Sequence, residues 1–423
     1  MAETLAHAGC DCTASDASRH LMPVDEAIDR ALGLVSRLGA TELVPLADAV
    51  GRVPARDLHA PRPMPFFDNS AMDGFAVRTS DFAGAGPWLL PAAGPFAAGD
   101  CLPPAIPQGP VAVRIFTGAP VPEGFDAVVM QEYVETSGLL ARFTLKPRPG
   151  QNVRRAGEDV ERGVVLVPAG ARLEPRHAGL LAANGYAAIN VVRRPRIGIF
   201  STGDELAETG SRLAGAQLFD ANRPLLLGLA AAAGAQVEDL GIVRDDLVET
   251  AHFFRRHLGR YDLLISSGAV SMGGKGFVQP AFESAGGAVD FWKVAMKPGK
   301  PVMFGHGEGT VFTGLPGNSF AAFVGFKLFL EGMISRLQGS PVRGFAMQTG
   351  TADFNWARNI GRTEFFPVRF NGPDSHDTPR LVRLGHGGSA SLHPLGQSDG
   401  IAMVEAQTGN IRRGDGLRWH RFA

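Results

Sequence analysis

The chain has 423 residues, 41 basic and 42 acidic side chains, and a net charge of −1 at pH 7. This length exceeds one ordinary hydrophobic core and predicts two to four domains. The balanced charge excludes an overall basic field for nucleic acid and a charged binding tail. Glycine and proline together form about a fifth of the chain, which fits many tight loops and excludes low complexity.

The three cysteines, Cys10, Cys12 and Cys101, are too few for a disulfide framework and favour a reducing compartment. Cys10 and Cys12 lie near His7 and His20, so a metal site is one interpretation of this segment. One close cysteine pair in a weakly patterned stretch is poor support for a metal site. A disordered tail over 1–20 is the favoured interpretation.

The amino terminus has no basic segment followed by an apolar core, so no secretory signal is predicted. The most apolar stretches, 225–233 and 320–334, are too short or are broken by Lys327, and do not predict a membrane span. We therefore expect a soluble, cytoplasmic protein that binds neither a membrane nor nucleic acid.

The first half of the chain predicts a helical/β domain interrupted by a β-domain. Apolar residues at helical spacing predict a helix over 24–38, followed by a short strand over 42–46. From about 58 to 148, short apolar runs alternate with Gly/Pro turns and predict a small β-domain. A strand, a helix and a strand are predicted over 164–167, 175–183 and 187–192. We expect this last part to pack back against the first helix.

From residue 196 the pattern becomes a regular alternation of strands and helices. Strands are predicted over 196–200, 236–243, 263–265, 289–294, 302–304 and 311–313, and helices over 222–233, 245–258, 278–285 and 319–337. This order is typical of a parallel sheet with helices on both faces. Residues 340–423 return to short strands, over 363–370, 380–384 and 401–405, and predict a second β-module.

Five polar loops follow the predicted strands, and four of them contain glycine. They span 201–205, 244–246, 266–276, 297–300 and 314–318. Ligands of open α/β sheets bind outside the carboxyl ends of the strands, so these loops predict a binding cleft at one edge. The loop over 266–276 has unshielded backbone N–H groups and hydroxyls at Ser266, Ser267 and Ser271, which suit an oxyanion.

The position of each acidic residue relative to its strand predicts whether it lies near the cleft. Glu205 and Asp245 follow strands and are expected near the cleft, whereas Asp262 precedes its strand and is expected to be structural. Asp245 has an equally good interpretation as a helix cap.

Three lysines, Lys293, Lys297 and Lys300, lie on or after one predicted strand. Strand alternation puts Lys293 and Lys297 on the same side, which favours a polyanionic ligand with Mg²⁺. A solvated basic loop is the alternative. The sequence has no Walker P-loop, zinc-protease motif or Cys-x-x-Cys, and its set of anion donors, cations and carboxylates favours phosphoryl chemistry.

Several longer motifs are specific to one family. Residues 67–76 are Phe-Asp-Asn-Ser-Ala-Met-Asp-Gly-Phe-Ala, and residues 114–120 are Arg-Ile-Phe-Thr-Gly-Ala-Pro. Further motifs occur in order at 121–124, 152–159, 201–206, 220–223, 267–273, 297–301 and 314–318. Together they resemble the molybdopterin molybdenumtransferases, the MoeA and gephyrin E-domain family, over about 20–423.

The resemblance implies a multi-domain α/β plus β architecture. It implies a discontinuous helical/β domain (21–57 and 149–192), an inserted β-domain (58–148), a molybdopterin-binding α/β domain with a central parallel sheet (193–338), and a C-terminal β-barrel-like domain (339–423). It also implies a homodimer whose cleft draws on both subunits. Contacts with a molybdopterin adenylyltransferase and with molybdoenzyme chaperones are further expectations.

The implied reaction takes adenylylated molybdopterin and molybdate as substrates. The adenylyl phosphoanhydride is cleaved with Mg²⁺, AMP leaves, and molybdenum is transferred to the dithiolene sulfurs. The resemblance implies catalytic roles for Asp68, Glu205, Asp245, Lys293 and Lys297, with Glu205 and Asp245 as candidate Mg²⁺ ligands. It implies substrate contacts at Thr117, Ser201, Gly203, Ser267, Gly268, Ser271, Gly273, Pro298, Gly317, Asn318, Arg362 and Ser391.

One departure from the family pattern bears on catalysis. The family commonly has an aspartate, regarded as catalytic, where this chain has Gly276, beside Lys275. An alternative function is therefore a catalytically weakened molybdopterin-binding carrier or scaffold of the same fold. A third interpretation is a nucleotide-dependent enzyme of different chemistry on a related fold. The Asp68 motif also has a purely local interpretation, an Asx-type turn.

Overall fold

The computed structural model describes residues 21–100, 109–268, 277–385, 388 and 390–422. Cys10, Cys12, Cys101, Ser271 and Gly273 lie outside the described residues, as does position 276. Within the described part, no helix is long and apolar enough to cross a bilayer.

The first half of the chain is mostly β-structure with two helices. In chain order its elements are α1 (Val24–Gly33), β1 (Thr41–Pro45), β2 (Leu58–His59), β3 (Asn69–Ser70), β4 (Gly74–Val77), β5 (Trp88–Phe96), β6 (Ala112–Ile115), β7 (Ala127–Met130), β8 (Val134–Ser137), β9 (Leu140–Phe143), β10 (Val153–Arg154), β11 (Val165–Val167), α2 (Pro175–Ala183) and β12 (Ala188–Val192). Short 3₁₀ turns occupy Leu46–Asp48, Thr79–Asp81 and Gln131–Tyr133.

Distant segments of this half pair with each other. β1 pairs antiparallel with β12 and β2 with β11, and Leu58, Leu181 and Ile189 share one core. The inserted segment forms a curled sheet of order β7-β4-β6-β5-β9-β8. The expectation that 150–190 packs against the first helix is wrong, because Ala27 and Ala31 belong to the core of the central domain.

The second half contains the regular α/β unit and the last β-module. Its elements are β13 (Arg196–Thr202), β14 (Leu206–Ala207), β15 (Leu218–Phe219), α3 (Asn222–Ala232), β16 (Gln236–Val243), α4 (Leu247–His257), β17 (Leu263–Ser267), α5 (Val278–Ser284), β18 (Ala288–Trp292), β19 (Met296–Lys297), β20 (Met303–Gly307), β21 (Thr310–Leu315), α6 (Ser319–Gly325), a π-helical turn (Phe326–Leu330), α7 (Glu331–Gln338), β22 (Gln348–Ala352), β23 (Thr363–Pro373), β24 (Pro379–Arg383), α8 (Leu392–Gly396), β25 (Gly400–Val404) and β26 (Gly416–Arg421).

The central sheet has the strand order β16-β13-β17-β21-β20-β18. Five of these strands run in one direction, and β20 runs antiparallel to both of its neighbours. Apolar cores lie on the two faces: Ile199 and Ile265 face α3, whereas Phe200 and Leu264 face α4 and α5. The alternating pattern in the sequence therefore correctly predicted the helix-covered sheet.

The last module is a closed five-stranded barrel. Its order is β23-β24-β22-β26-β25, and β25 pairs back to β23. The short strand β19, from the central domain, adds to this barrel by pairing in parallel with the start of β23. This pairing brings the loop after β18 against the C-terminal module.

Candidate active site

The loops predicted to form a cleft meet at one edge of the central sheet. Register pairs place their starting points side by side: Thr202 with Val243, Ser201 with Ser267, Ser267 with Leu315, Gly314 with Met303, and Met303 with Trp292. A cavity of about 690 Å³ opens at this edge, between the 202–222 segment and the loops at 267–268 and 316–319. The antiparallel β20 enters the sheet at this edge, so the loop before it belongs to the same edge.

Two glycines let backbone and side chains approach closely at this edge. A Cβ on Gly268, whose φ is +91°, would lie 2.3 Å from the carbonyl oxygen of Thr202. A Cβ on Gly203 would lie 2.7 Å from the carboxylate of Glu205. Gly268 therefore requires glycine, because any side chain would meet the Thr202 backbone, whereas Gly203 favours glycine through its φ of +147°, since the Glu205 carboxylate can move aside.

Asn222, at the start of α3, joins two of the cleft loops. Its Nδ2 donates to Ser267 Oγ and to the carbonyl oxygen of Gly317, each over 2.6 Å. The Gly317 carbonyl accepts only, which sets the orientation of the amide. Asn222 thereby holds the ends of β17 and β21 together below the cavity.

Asp220 and Arg223 anchor the 205–220 segment, which forms one wall of the larger cavity. Asp220 accepts hydrogen bonds from the backbone N–H groups of Asn222 and Arg223 and from Arg223 Nε. Arg223 also pairs with Glu208 and with Asp239. Burial alone lowers the pKa of Arg223, but the bonds to Asp239, Asp220 and Glu208 raise it above its usual value. The three carboxylates fix the 205–220 segment to β16 and α3.

The lysines do not share one strand. β18 ends at Trp292, and Lys293 has a φ of +78°, so alternation does not relate it to Lys297. The prediction that strand alternation places Lys293 and Lys297 on one side assumed a single strand, and that assumption is wrong. Lys297 and Lys300, together with Arg362, line a second cavity of about 320 Å³. Three cations on one small cavity suit a compact anion.

Other predicted substrate contacts lie around these cavities. Gly317 and Asn318 line the larger cavity, and Pro298 and Asn318 line the smaller one. Ser391 lies at the start of α8, beside the cavity-lining Ala390, and its hydroxyl donates to the carbonyl oxygen of Gly388.

The two predicted serines at the strand ends are buried. Ser201 is 0% exposed, and its hydroxyl has no hydrogen-bond partner among the described residues. Ser267 is 2% exposed and uses its hydroxyl on Asn222 and on the carbonyl of Pro316. Ser267 lines the larger cavity and holds its floor through these bonds, whereas Ser201 is not among the residues that line either cavity.

Glu205 and Asp262 lie where their strand positions predict, whereas Asp245 is not among the residues that line the two cavities. Glu205 lines the larger cavity. Asp245 lies after β16, where its backbone N–H donates to Asp204. The helix cap is the next residue, Asp246, whose carboxylate accepts from the N–H of Glu249 over 2.8 Å, so the cap interpretation of Asp245 is wrong. Asp262, at the opposite edge, is bound by both terminal nitrogens of Arg193 and is structural, as predicted.

Asp68 and Thr117 lie in a separate cluster, on the inserted domain and beside residues 155–156. Asp68 accepts from the backbone N–H of Ala156 and from Arg155, and these bonds lower its pKa. Thr117 donates from its N–H and its hydroxyl to Asp73, each over 2.8 Å, and lowers the pKa of that carboxyl. Neither Asp68 nor Thr117 is among the residues that line the two cavities.

A magnesium ion needs oxygen ligands, which carboxylates can supply. In the described ranges, no three or more His, Cys, Asp or Glu side chains are grouped so as to hold a metal ion. Mg²⁺ keeps several waters and is usually bound by one or two carboxylates plus substrate phosphates. Glu205, Asp204 and Asp245 supply carboxylates at the right edge, so the residues fit an ion held mainly by a phosphorylated ligand.

Sequence reasoning assigned no role to Asn222, Arg223, Glu364 or Asp73. The Asp-x-x-Arg spacing at a helix start signals the Asp220–Arg223 pair locally. The bonds of Asn222 to Gly317 and of Lys297 to Glu364 join residues far apart in the chain. No local pattern reports such pairs.

The fold and the cleft define a multidomain α/β protein with a glycine-lined, cation-bearing site at the carboxyl edge of its sheet. Three family models match the chain. They are the MoeA N-terminal region (domain I and II) at 22–185, a probable molybdopterin binding domain at 198–336, and the MoeA C-terminal region (domain IV) at 349–422.

Curated relatives and a solved structure match nearly the whole chain. The chain is 37% identical over 402 residues to the molybdopterin molybdenumtransferase of Haemophilus influenzae, covering 93% of this chain and 97% of the relative. It is 39% identical to molybdopterin molybdenumtransferase 2 of Mycobacterium tuberculosis, covering 89% and 93%. A crystal structure of a molybdopterin biosynthesis MoeA protein from Pyrococcus horikosii has a TM-score of 0.82 at 26% identity, covering 95% and 99%.

The chain therefore belongs to the molybdopterin molybdenumtransferase (MoeA) family, whose members are transferases of molybdenum cofactor biosynthesis. The predicted family and fold class are confirmed.

Proposed function

We propose that this protein inserts molybdenum from molybdate into adenylylated molybdopterin, with Mg²⁺ present, and releases AMP. The observation that carries the proposal is the pair of adjoining cavities at one sheet edge. One is lined by Glu205, Asn318 and glycine backbone, and the other by Lys297, Lys300 and Arg362.

The chain's own residues bind and orient the two anionic substrates. Lys297, Lys300 and Arg362 neutralise charge on molybdate and phosphate, which lowers the cost of bringing two anions together. Backbone N–H groups beside Gly317 suit phosphate oxygens. Glu205 and Asp245 would hold Mg²⁺, and the bound ion would supply charge neutralisation on the phosphoanhydride.

Purified protein is incubated with adenylylated molybdopterin, Mg²⁺ and molybdate, and AMP is measured. The proposal predicts AMP release that depends on molybdate and saturates with its concentration. AMP release that is no greater with molybdate than without it would overturn the proposal.

A second candidate function rests on the sequence at position 276. Gly276 stands where the family commonly has an aspartate, so the protein is alternatively a molybdopterin-binding carrier or scaffold with weakened catalysis. That candidate predicts that Gly276→Asp raises turnover at least tenfold, about 1.4 kcal/mol of barrier. An unchanged or lower rate in Gly276→Asp would exclude it.

We also propose a homodimer in which the Asp68 and Thr117 cluster completes the cleft of the other subunit. Phe66, Phe67 and Met72 beside Asp68 are 48%, 46% and 41% exposed, an apolar patch that supports a covering partner. Inactive Asp68→Asn and Lys297→Met subunits, mixed after denaturation and refolding, should recover activity. No recovery, or a monomer by sedimentation, would contradict this arrangement. The adenylyltransferase and chaperone contacts stay predictions.

A further inference from the structure

Lys297 is held from the C-terminal barrel by an acidic residue. Its Nζ lies 3.2 Å from Glu364 Oε2, and the side chain of Lys297 is 45% exposed whereas that of Glu364 is 9% exposed. The backbone brings the two together, because β19 and β23 pair with Lys297 opposite Glu364. The contact therefore joins two domains through both backbone and side chains.

Glu364 is itself bound by a second residue of the barrel module, Arg358. Its Oε1 accepts a hydrogen bond from Arg358 Nε over 3.3 Å, and the side chain of Arg358 is 1% exposed. Arg358 donates three of its four remaining N–H groups to the carbonyl oxygens of Arg362, Glu405 and Thr408. A guanidinium with this many fixed acceptors cannot rotate freely, so the Glu364 carboxylate is held in one orientation.

The ammonium that Glu364 holds lies where two cavities adjoin. Lys297 and Arg362 line both the 320 Å³ cavity and a neighbouring cavity of about 190 Å³, which also contains Glu364 and Arg358. A lysine has four rotatable bonds and loses about 2 kcal/mol of side-chain entropy when it is fixed. Because Glu364 already holds Lys297, less side-chain entropy is lost at the moment when the anion binds.

We propose that Glu364 is a positioning residue that directs Lys297 toward the anion in the 320 Å³ cavity. The Arg358–Glu364–Lys297 chain makes the position of this cation depend on docking of the C-terminal barrel. The role in turnover rests on the proposed function, whereas the placement of Lys297 is testable without activity.

The first test is a double-mutant cycle on molybdate-dependent AMP release. Glu364→Gln should lower kcat/KM for molybdate about tenfold or more, mainly through KM, because the cation is no longer placed before the anion arrives. Glu364→Asp, which keeps the charge, should recover part of the loss. In the Lys297→Met background, Glu364→Gln should have no further effect. A full additional loss there would show that Glu364 does not act through Lys297 and would overturn the proposal.

A matched variant separates positioning from general damage to the barrel. Glu405 lies on the same module and pairs with Arg418 over 3.4 Å, both side chains being exposed. Glu405→Gln should leave kcat/KM unchanged. An equal loss in Glu405→Gln and Glu364→Gln would contradict a specific role.

The second test does not need turnover. Surface acylation followed by mass spectrometry measures the reactivity of Lys297, with Lys300 in the same loop as internal reference. Glu364→Gln should raise the labelling of Lys297 relative to Lys300 at least threefold, because the ion pair no longer holds the ammonium. An unchanged ratio would overturn the proposal even if AMP release is observed. A raised ratio with no AMP release in wild type would support the placement and contradict the proposed function.

Discussion

The amide of Asn222 donates to the hydroxyl of Ser267 over 2.6 Å, although the residues are 45 positions apart. A second N–H of the same amide reaches the carbonyl of Gly317. One side chain thus connects the start of α3 to the ends of two neighbouring strands. The shape of the cleft floor depends on this donor pair.

Asn222→Asp should destabilise the central domain by about 1–3 kcal/mol, because aspartate cannot donate and the hydrogen bonds of this side chain, which is 7% exposed, to Ser267 and Gly317 are lost. Calorimetry of the variant should show a lower Tm for the transition of that domain. Asn355→Asp is the matched control, since the Asn355 side chain accepts from the N–H of Arg413, which an aspartate preserves. Equal shifts in the two variants would contradict the donor role.

Arg223→Met should cost about 3–5 kcal/mol, because it leaves the carboxylate of Asp220 buried without a cation. The side chains of Arg223 and Asp220 are 8% and 1% exposed. Hydrogen exchange should also rise across 205–219, the segment that Arg223 anchors through Glu208. Arg142→Met, which removes an exposed pair with Glu135, should cost under about 1 kcal/mol. A small loss in Arg223→Met would show that the segment is held by other contacts.

Gly268→Ala should be more damaging than Gly210→Ala. Both glycines have positive φ, +91° and +83°, so both variants are strained by about 1–3 kcal/mol. Only the Cβ at position 268 meets the Thr202 carbonyl, whereas the space around Gly210 is open. Molybdopterin binding should weaken at least tenfold in Gly268→Ala and stay near wild type in Gly210→Ala, by fluorescence titration. Similar affinities in both variants would contradict the close-approach argument.

The Asp73 carboxyl should titrate below its ordinary pKa of 3.8, because the N–H and hydroxyl of Thr117 both stabilise the anion. A depressed pKa means that these bonds are fully formed above pH 3.8 and are lost as the pH falls through the lower folded-state value. The amide proton of Thr117, followed by NMR on acidification, reports that loss. A midpoint at or above 3.8 would contradict the bonding, and Asp73→Asn should abolish the transition.

The sheet and its functional edge were predictable from the chain because buried strands and amphipathic helices alternate locally. The polar glycine-rich loops that follow these strands are then expected at one edge of the sheet. The partner of α1 was not predictable, since Ala27 and Ala31 form an apolar stripe that fits either domain. The choice between Asp245 and Asp246 as cap depends on backbone geometry, because Asp246 is the extended residue that immediately precedes the helix.

Long-range pairs limited the prediction of the site. The positive φ of Lys293 breaks the alternation on which the lysine argument depended. Glu364 becomes a partner of Lys297 only through the pairing of β19 with β23. The second fact arises from packing of the C-terminal barrel on the central domain, which no local spacing reports.

The stoichiometry between molybdenum bound to the product dithiolene and AMP released tests the central claim most directly. It is measured by elemental analysis of the isolated product and chromatography of the nucleotide from one reaction of the wild-type protein. Insertion coupled to cleavage predicts one molybdenum bound for each AMP released at saturating molybdate. AMP release with no molybdenum in the product, or no AMP release at all, would contradict it.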